Sequence, residues 1–334
     1  MEGEIFDTII IGGGPAGCAA AVYTARKSLK TLLITQAFGG QSIMSDDIQN
    51  WIGEVHISGL DLAKKLEAHV RAYPNILTVK SPEKAIGLET VQCPPGEIRF
   101  CDFKVKTDKG EYIGKSIILA AGARHRKLQV PGEDRYENKG ISYCSTCDAP
   151  LFAGKKVAVV GGGNSGLEAV QDLFPYATEI YLLEMGNSIR GDVSTLEETK
   201  KHPKLKEIIL NAQTLEIIGE TLVTGIKFKD LVSGTQNLLK VNGVFIAVGS
   251  VPNSEFVKNV VQLDAHGQVM VNIKNAATSH PGIFAAGDVT DDPYKQNNIA
   301  VGDGVRAGLS AYQYLLNRQK KSPAEEGSDN LQNA

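Results

Sequence analysis

One pattern occurs twice. "DTIIIGGGPAGCAAAVYTARKSLKTLLIT" begins at Asp7 and "KKVAVVGGGNSGLEAVQDLFPYATEIYLLE" begins at Lys155. Each runs from a short β-rich apolar segment through G-x-G-x-x-G into a helical pattern, then into a second apolar segment. The glycines are Gly12, Gly14 and Gly17 in the first copy and Gly161, Gly163 and Gly166 in the second. This spacing predicts a Rossmann βαβ unit: the first glycine turns off the strand, the second admits a pyrophosphate to the backbone, and the third lets the helix pack on the sheet. Pro15 and Ala16 open the first helix, Asn164 and Ser165 the second. A helix N-terminus turns unpaired N–H groups and a positive dipole end toward phosphate. Two such units predict an α/β chain with two nucleotide-binding domains and two dinucleotides. The usual pair is FAD with a nicotinamide nucleotide, one holding electrons and the other delivering them.

The remaining bulk properties fit. A chain of 334 residues suits two domains. A net charge of −3 gives no reason to expect nucleic acid or an anionic membrane as partner. The start, "MEGEIFDTIIIGGG", has acids where a secretory signal needs basic residues, and no run is long enough to span a membrane. The expected compartment is the cytoplasm. The polar tail, from about residue 322, is expected to be disordered.

The chain has five cysteines, two of them in "ISYCSTCDAP" at Cys144 and Cys147, followed at once by Asp148. A structural zinc site needs about four Cys or His ligands, and no second CxxC or C-x-H cluster exists. Cytoplasmic thiols are mostly reduced, which disfavours a static staple. The reading that remains is a pair that opens and closes, since its sulfurs stay within reach in both redox states. Asp148 is the candidate general acid for the leaving thiolate; its alternative role is to cap the next turn. Cys18, Cys93 and Cys101 are expected to be bystanders, Cys18 in a helix core and the others on strands or loops.

Further along, "HPGIFAAGDVTDDPYKQNNIAVGDGVRAGLSAYQYL" predicts a strand at Ile283–Ala286 ending in Gly287-Asp288, with a helix from about Ile299. Beside a FAD fold, Asp288 is placed to bond a ribityl hydroxyl.

These motifs together resemble the low-molecular-weight thioredoxin reductases, from about Phe6 to Leu316. The resemblance rests on Gly12–Gly17, Gly39–Gln41, Asn50-Trp51, Leu119–Ala123, Cys144–Asp148, Gly161–Gly166 and "AAGDV…YKQ" at Ala285–Gln296. Within that family, "VPGED", "GKKVAVVGGGNSGLEA", "IILNAQT" and "PYKQ" look most like the catalytic core of the flavoprotein subunit of alkyl hydroperoxide reductase. That subunit carries an extra N-terminal thioredoxin-like domain, which is not expected here.

The resemblance implies three-layer ββα domains, the second inserted in the first. The FAD domain would be 1–118 plus 249–334; the nicotinamide-nucleotide domain, 119–248, would carry the CxxC. The crossings, "AAGARHRKLQVPGED" and "AVGSVPN", are rich in Gly and Pro, as hinges can be. FAD contacts implied are Gly12, Gly14, Gly17, Gly40, Gln41, Asn50, Ala121, Gly122, Asp288, Lys295 and Gln296. The family commonly lacks a ribose-holding acid after its second strand, and this chain reads Ile34-Thr35-Gln36 there. By the same resemblance NADH reduces the flavin, two electrons pass to Cys144–Cys147, Cys147 faces the flavin, and Cys144 attacks a disulfide of thioredoxin or a thioredoxin-like protein. One rigid arrangement would have difficulty presenting nucleotide and disulfide to one flavin, so the second domain is expected to swing. A homodimer is implied too.

NADPH-using relatives carry His-Arg-Arg-x-x-x-Arg after the second domain's second strand. Here the leading positions are Glu184, Met185 and Gly186, and only Arg190 remains. Glu184 lies 23 residues after Gly161, close to the spacing of an acid that bonds a free 2′-hydroxyl. A carboxylate repels a 2′-phosphate, so NADH is favoured over NADPH. The alternative is a solvated acid on a domain that has lost its nucleotide, as in relatives fed by ferredoxin. Other readings are a reductase that serves a peroxidase through a separate thioredoxin-like protein, and a non-catalytic flavin-binding redox sensor. The basic run Arg124, His125, Arg126, Lys127 reads as a solvated face or a contact for an acidic partner.

Overall fold

The computed structural model describes residues 4–45, 47–91, 93 and 98–321; the tail expected to be disordered lies outside them. Two parallel five-stranded sheets organise the chain. The first has the order Ile283–Ala285, Ile117–Leu119, Thr8–Gly13, Thr31–Phe38, Leu77–Lys80. The second has the order Ile141–Ser142, Gly243–Ile246, Lys156–Val160, Glu179–Leu183, Leu205–Ile209. The first sheet thus takes its strands from both sides of the segment that builds the second.

Strand alternation sorts the core into layers. Ile10, Leu33 and Ile118 face one way, with Ala16, Ala20 and Ala307 of two helices. Ile9, Ile11, Leu32, Ile117 and Leu119 face the other, toward Phe103 and Val105 of a small sheet, Ile5–Phe6, Glu111–Gly114, Asp102–Thr107 and Ala85–Val91. In the second domain Val157, Val159 and Leu182 meet Leu167 and Val170 of a helix. Ala158, Val160 and Leu183 meet Ile217 and Ile226 of the antiparallel sheet Ala212–Gly219, Val223–Asp230, Gln236–Leu239. Each domain is therefore a three-layer ββα, Rossmann-type unit.

The helices Pro15–Arg26 and Asn297–Lys321 touch through small residues. A methyl on Gly304 would lie 2.1 Å from the Ala16 carbonyl oxygen, so that position cannot carry a side chain. The last helix starts at Asn297 rather than near Ile299, and Gly287–Val289 forms a short 3₁₀ turn after the strand.

Ala123–His125 and Ser250–Pro252 pair as a two-stranded antiparallel ribbon between the domains. Gly122 (φ 65°) and Gly249 (φ 93°) flank it in left-handed conformations, with open space where side chains would be.

One expectation needs correction. Cys93 and Cys101 are not separate bystanders: they form a disulfide, because the strand Asp102–Thr107 brings Cys101 back beside the end of Ala85–Val91. The basic run at 124–127 lies on the solvated face expected of it, and three of its side chains find partners there. Arg124 bonds Asn253 and Glu255, Lys127 bonds Asp134 and Glu137, and His125 stacks on Tyr143 at 5.0 Å. Cys18 is a buried helix residue whose thiol donates to the Gly13 carbonyl oxygen, and burial pushes it up to about 12, which makes it inert.

Candidate active site

Both glycine turns have the geometry that phosphate needs. A methyl on Gly17 would sit 1.8 Å from the Gly12 carbonyl oxygen, and one on Gly166 1.8 Å from that of Gly161, so helix and strand touch. Around Gly163 nothing lies within 4 Å of an added methyl, and at Gly14 the nearest atom is the Gly40 Cα at 3.7 Å. Gly14 and Gly163 are the N-caps of their helices, and no side chain caps either. The absence of side chains at these helix starts leaves room for an anion at the positive end of each helix.

Around the first turn the candidate residues are drawn together from distant segments. Gln41 donates to Asp288 at 3.3 Å, and the Gln41 side-chain oxygen is buried with no partner among the described residues. Burial pushes the Asp288 carboxyl above its ordinary range and holds the Lys295 ammonium below its own. Lys295 donates to the Thr290 carbonyl oxygen at 2.6 Å. Asn50 donates to Gln296 at 3.0 Å, and Asn298 bonds the Asn50 carbonyl oxygen. The carbonyl oxygens of Ala121 and Gly122 both accept from Asn253. Ser42, Asn253, Asn297 and Asn298 thus take part without having been singled out from the sequence; lone polar residues on turns carry no spacing signal.

Around the second turn Glu184 is not a solvated acid. It is 3% exposed. Its carboxylate accepts from the backbone N–H of Gly162 (2.6 Å) and of Gly186 (2.7 Å), with Arg190 at 3.6 Å. The segment after it folds back on the turn: Arg190 and Gly191 N–H groups donate to the Gly162 carbonyl oxygen, and Asn164 accepts from the Asp192 N–H. Ser165 lies in the first turn of the same helix.

The CxxC forms a disulfide on a single helical turn, Ser145–Asp148, with Cys144 as its N-cap. The Cys147 N–H donates to the Cys144 sulfur at 3.2 Å. That bond favours a thiolate once the disulfide is open. Asp148 stands at the N-cap position of the following 3₁₀ turn, Ala149–Phe152, but its side chain makes no capping bond there. Its carboxylate accepts from the Ser142 hydroxyl at 2.6 Å, and burial pushes it above the usual carboxylate range despite that bond. A carboxyl so placed can carry a proton to a sulfur leaving group. Ser145 and Thr146 both donate to Asp172, near the far end of the helix opened by the second glycine turn. Tyr143 donates to the buried Glu133 at 2.8 Å, which also accepts from the Leu128 and Gln129 N–H groups. Among the described residues no group of three or more His, Cys, Asp or Glu is placed to hold a metal ion, and no helix is long and apolar enough to cross a membrane.

Comparison with known proteins agrees with this arrangement. The family model for pyridine nucleotide-disulphide oxidoreductases matches residues 6–304. The alkyl hydroperoxide reductase F subunit of Xanthomonas campestris pv. phaseoli is 40% identical over 324 residues, covering 96% of this chain and 59% of the relative. A Bacillus subtilis protein named NADH dehydrogenase is 40% identical over 314 residues, covering 94% and 59%. The chain thus spans about three-fifths of the length of these relatives. Thioredoxin reductase from Streptococcus pyogenes superposes with a TM-score of 0.84 at 33% identity, over 94% of this chain and 99% of that one. Thioredoxin reductase from Lactococcus lactis in its FR conformation gives 0.63 at 32% identity, over 93% and 99%. With the paired glycine turns, the CxxC and matches of this extent, the chain belongs to the pyridine nucleotide-disulphide oxidoreductase family.

Proposed function

We propose that the chain is an NADH-linked, FAD-dependent disulfide reductase acting on thioredoxin or a thioredoxin-like protein, in the cytoplasm and as a homodimer. The observation that carries this is the redox turn: a CxxC disulfide, a protonatable acid beside it, and a hydrogen-bonded link through Asp172 to a glycine turn open to phosphate.

The residues present fit a flavin dinucleotide. The buried, unpartnered oxygen of Gln41 lacks a donor that a bound group could supply, and the space between Gly14 and Gly40 would be filled by side chains. Gly12, Gly14, Gly17, Gln41, Asn50, Asp288 and Gln296 would hold FAD, which when bound supplies two-electron transfer between a nicotinamide and a disulfide. Gly161, Gly163, Gly166 and Glu184 would hold the nicotinamide nucleotide. A buried carboxylate one residue before Met185, with Arg190 drawn toward it, opposes a 2′-phosphate and supports NADH over NADPH. The open N-terminus at Gly163 counts against a domain that has lost its nucleotide, and so against ferredoxin as donor.

In the reduced state the Cys144 thiolate, steadied by the Cys147 N–H, attacks one sulfur of the partner disulfide and forms a mixed disulfide. The departing partner sulfur takes a proton, for which Asp148 is the source. Cys147 then gives up its thiol proton and attacks Cys144, closing the Cys144–Cys147 bond and expelling the second partner sulfur, which takes that proton and leaves as a thiol. Two electrons and two protons have passed to the partner. The narrow ribbon flanked by Gly122 and Gly249, which have open space around them, supports a swing of the second domain between flavin reduction and disulfide reduction.

The relatives named for the F subunit of alkyl hydroperoxide reductase favour one refinement: the thioredoxin-like partner serves a peroxidase. Turnover of a dithiol-specific dye by the flavin-loaded protein, with NADH, NADPH and reduced ferredoxin in parallel, tests the whole reading. NADH-driven turnover is expected. Turnover by ferredoxin alone overturns the donor, and a protein that takes up no flavin overturns the function.

A further inference from the structure

Away from the crossing ribbon, a hydrogen bond joins the two domains: the Asn138 side chain donates to the Met44 carbonyl oxygen at 2.6 Å. Both ends lie at the candidate site. Met44 ends the 3₁₀ turn Gly40–Met44, which also carries Gln41 with its unpartnered oxygen and its bond to Asp288. Asn138 stands six residues before Cys144, and the chain between them is a hydrogen-bonded turn followed by a short strand. The Asn138 N–H donates to the Ile141 carbonyl oxygen, the Lys139 N–H to that of Tyr136, and Ile141–Ser142 is an edge strand that runs directly into the redox turn. Asn138 is held at φ 60°, a left-handed conformation that Asn tolerates better than most residues and that aims its amide at the first domain.

We propose that Asn138 is a positioning residue: its bond to Met44 is a latch that holds the redox turn toward the Gln41–Asp288 side of the first domain, and its release frees the second domain to turn on the Gly122–Gly249 ribbon. The proposal rests on the reading of function given above and adds to it the contact that sets which orientation is populated. A neutral, solvent-exposed hydrogen bond shifts such an equilibrium by a factor of about three to ten.

Two variants isolate the latch. Asn138→Gly keeps the left-handed backbone and removes the donor. Asn138→Asp keeps the shape and sets a carboxylate against the Met44 carbonyl oxygen. In anaerobic stopped-flow on the flavin-loaded protein, both variants should speed the bleaching of flavin by NADH by about three- to tenfold and slow the subsequent return of flavin colour through Cys144–Cys147 by a similar factor. A merely structural defect slows both phases, and that result, or no change in either, overturns the proposal. Hydrogen exchange of the amides at 42–45 and 137–141 gives a readout that needs neither flavin nor NADH. Faster exchange at both segments in both variants, with the rest of the chain unchanged, supports the latch even if the NADH reading fails. Unchanged exchange overturns the latch even if that reading holds.

Discussion

Ser145 in the redox turn donates a 2.8 Å hydrogen bond to Asp172, on the helix opened by the second glycine turn. The CxxC and the helix that opens at Gly163 are therefore held in one frame. Replacing Asp172 by Ala should leave two hydroxyls without their shared acceptor and cost roughly 1–3 kcal/mol. The urea midpoint reports the loss. NADH-driven bleaching should change less than transfer to the disulfide, since the turn and not the glycine loop loses its anchor.

Asp148 predicts a pH dependence. Burial raises its carboxyl, so its protonated share persists above the pH where exposed carboxylates have ionised. If it supplies the proton, disulfide turnover falls as pH rises through that raised pKa, because the acid is lost. The same sign applies to stability: this carboxyl favours the folded state below its ordinary pKa, and that contribution is lost as pH rises through the raised one. Asp148→Asn should slow turnover by about a hundredfold and flatten that limb of the profile. A variant that keeps the limb removes Asp148 from the mechanism.

The two disulfides should part company on mutation. Cys147→Ser should lower turnover by about three orders of magnitude, with flavin content intact. Cys93→Ser with Cys101→Ser should leave turnover within about twofold, because that pair sits beside the paired strands Ala85–Val91 and Asp102–Thr107, which carry none of the candidate catalytic residues.

The glycines divide by what surrounds them. Gly17→Ala would drive a methyl into the Gly12 carbonyl oxygen and should prevent folding. Gly163→Ala meets no atom within 4 Å and has an ordinary backbone, so the melting temperature should hold while the KM for NADH rises several-fold. Equal NADH kinetics in Gly163→Ala would move the nucleotide elsewhere.

Glu184 joins structure to selectivity. Glu184→Ala leaves the Gly162 and Gly186 N–H groups without their acceptor, a loss of about 2–4 kcal/mol by thermal denaturation. Glu184→Gln keeps one acceptor oxygen and removes the charge. It should narrow the preference for NADH over NADPH, measured as the ratio of the two kcat/KM values.

Much of this site was legible in the chain because its parts are local. A glycine turn, a CxxC and an acid next to it are strings, and each string's physics is complete within a few residues. The fold class followed from the repeat. What escaped was pairing across long separations. Cys93 and Cys101 meet because Ala85–Val91 and Asp102–Thr107 pair antiparallel, which spacing alone does not announce. The run at Arg124–Lys127 is exposed as expected, but its partners Asn253, Glu255, Asp134 and Glu137 could not be named from its spacing. Glu184 was picked out by its distance from Gly161. That its carboxylate faces inward to backbone N–H groups depends on how the 186–191 loop folds over the turn, and no periodicity records that.

The interleaving of the first sheet bears on how such a chain comes off the ribosome. Ile117–Leu119 forms a sheet neighbour of Thr8–Gly13 early, but its other edge waits for Ile283–Ala285, and the Pro15–Arg26 helix stays uncovered until Asn297–Lys321 has emerged. The second domain, whose parallel sheet and helix lie in one unbroken stretch, can close first. During synthesis the inner unit is then a finished body tethered to a half-built outer one, and a chain cut short after Pro252 would carry an exposed strand edge and a bare helix face.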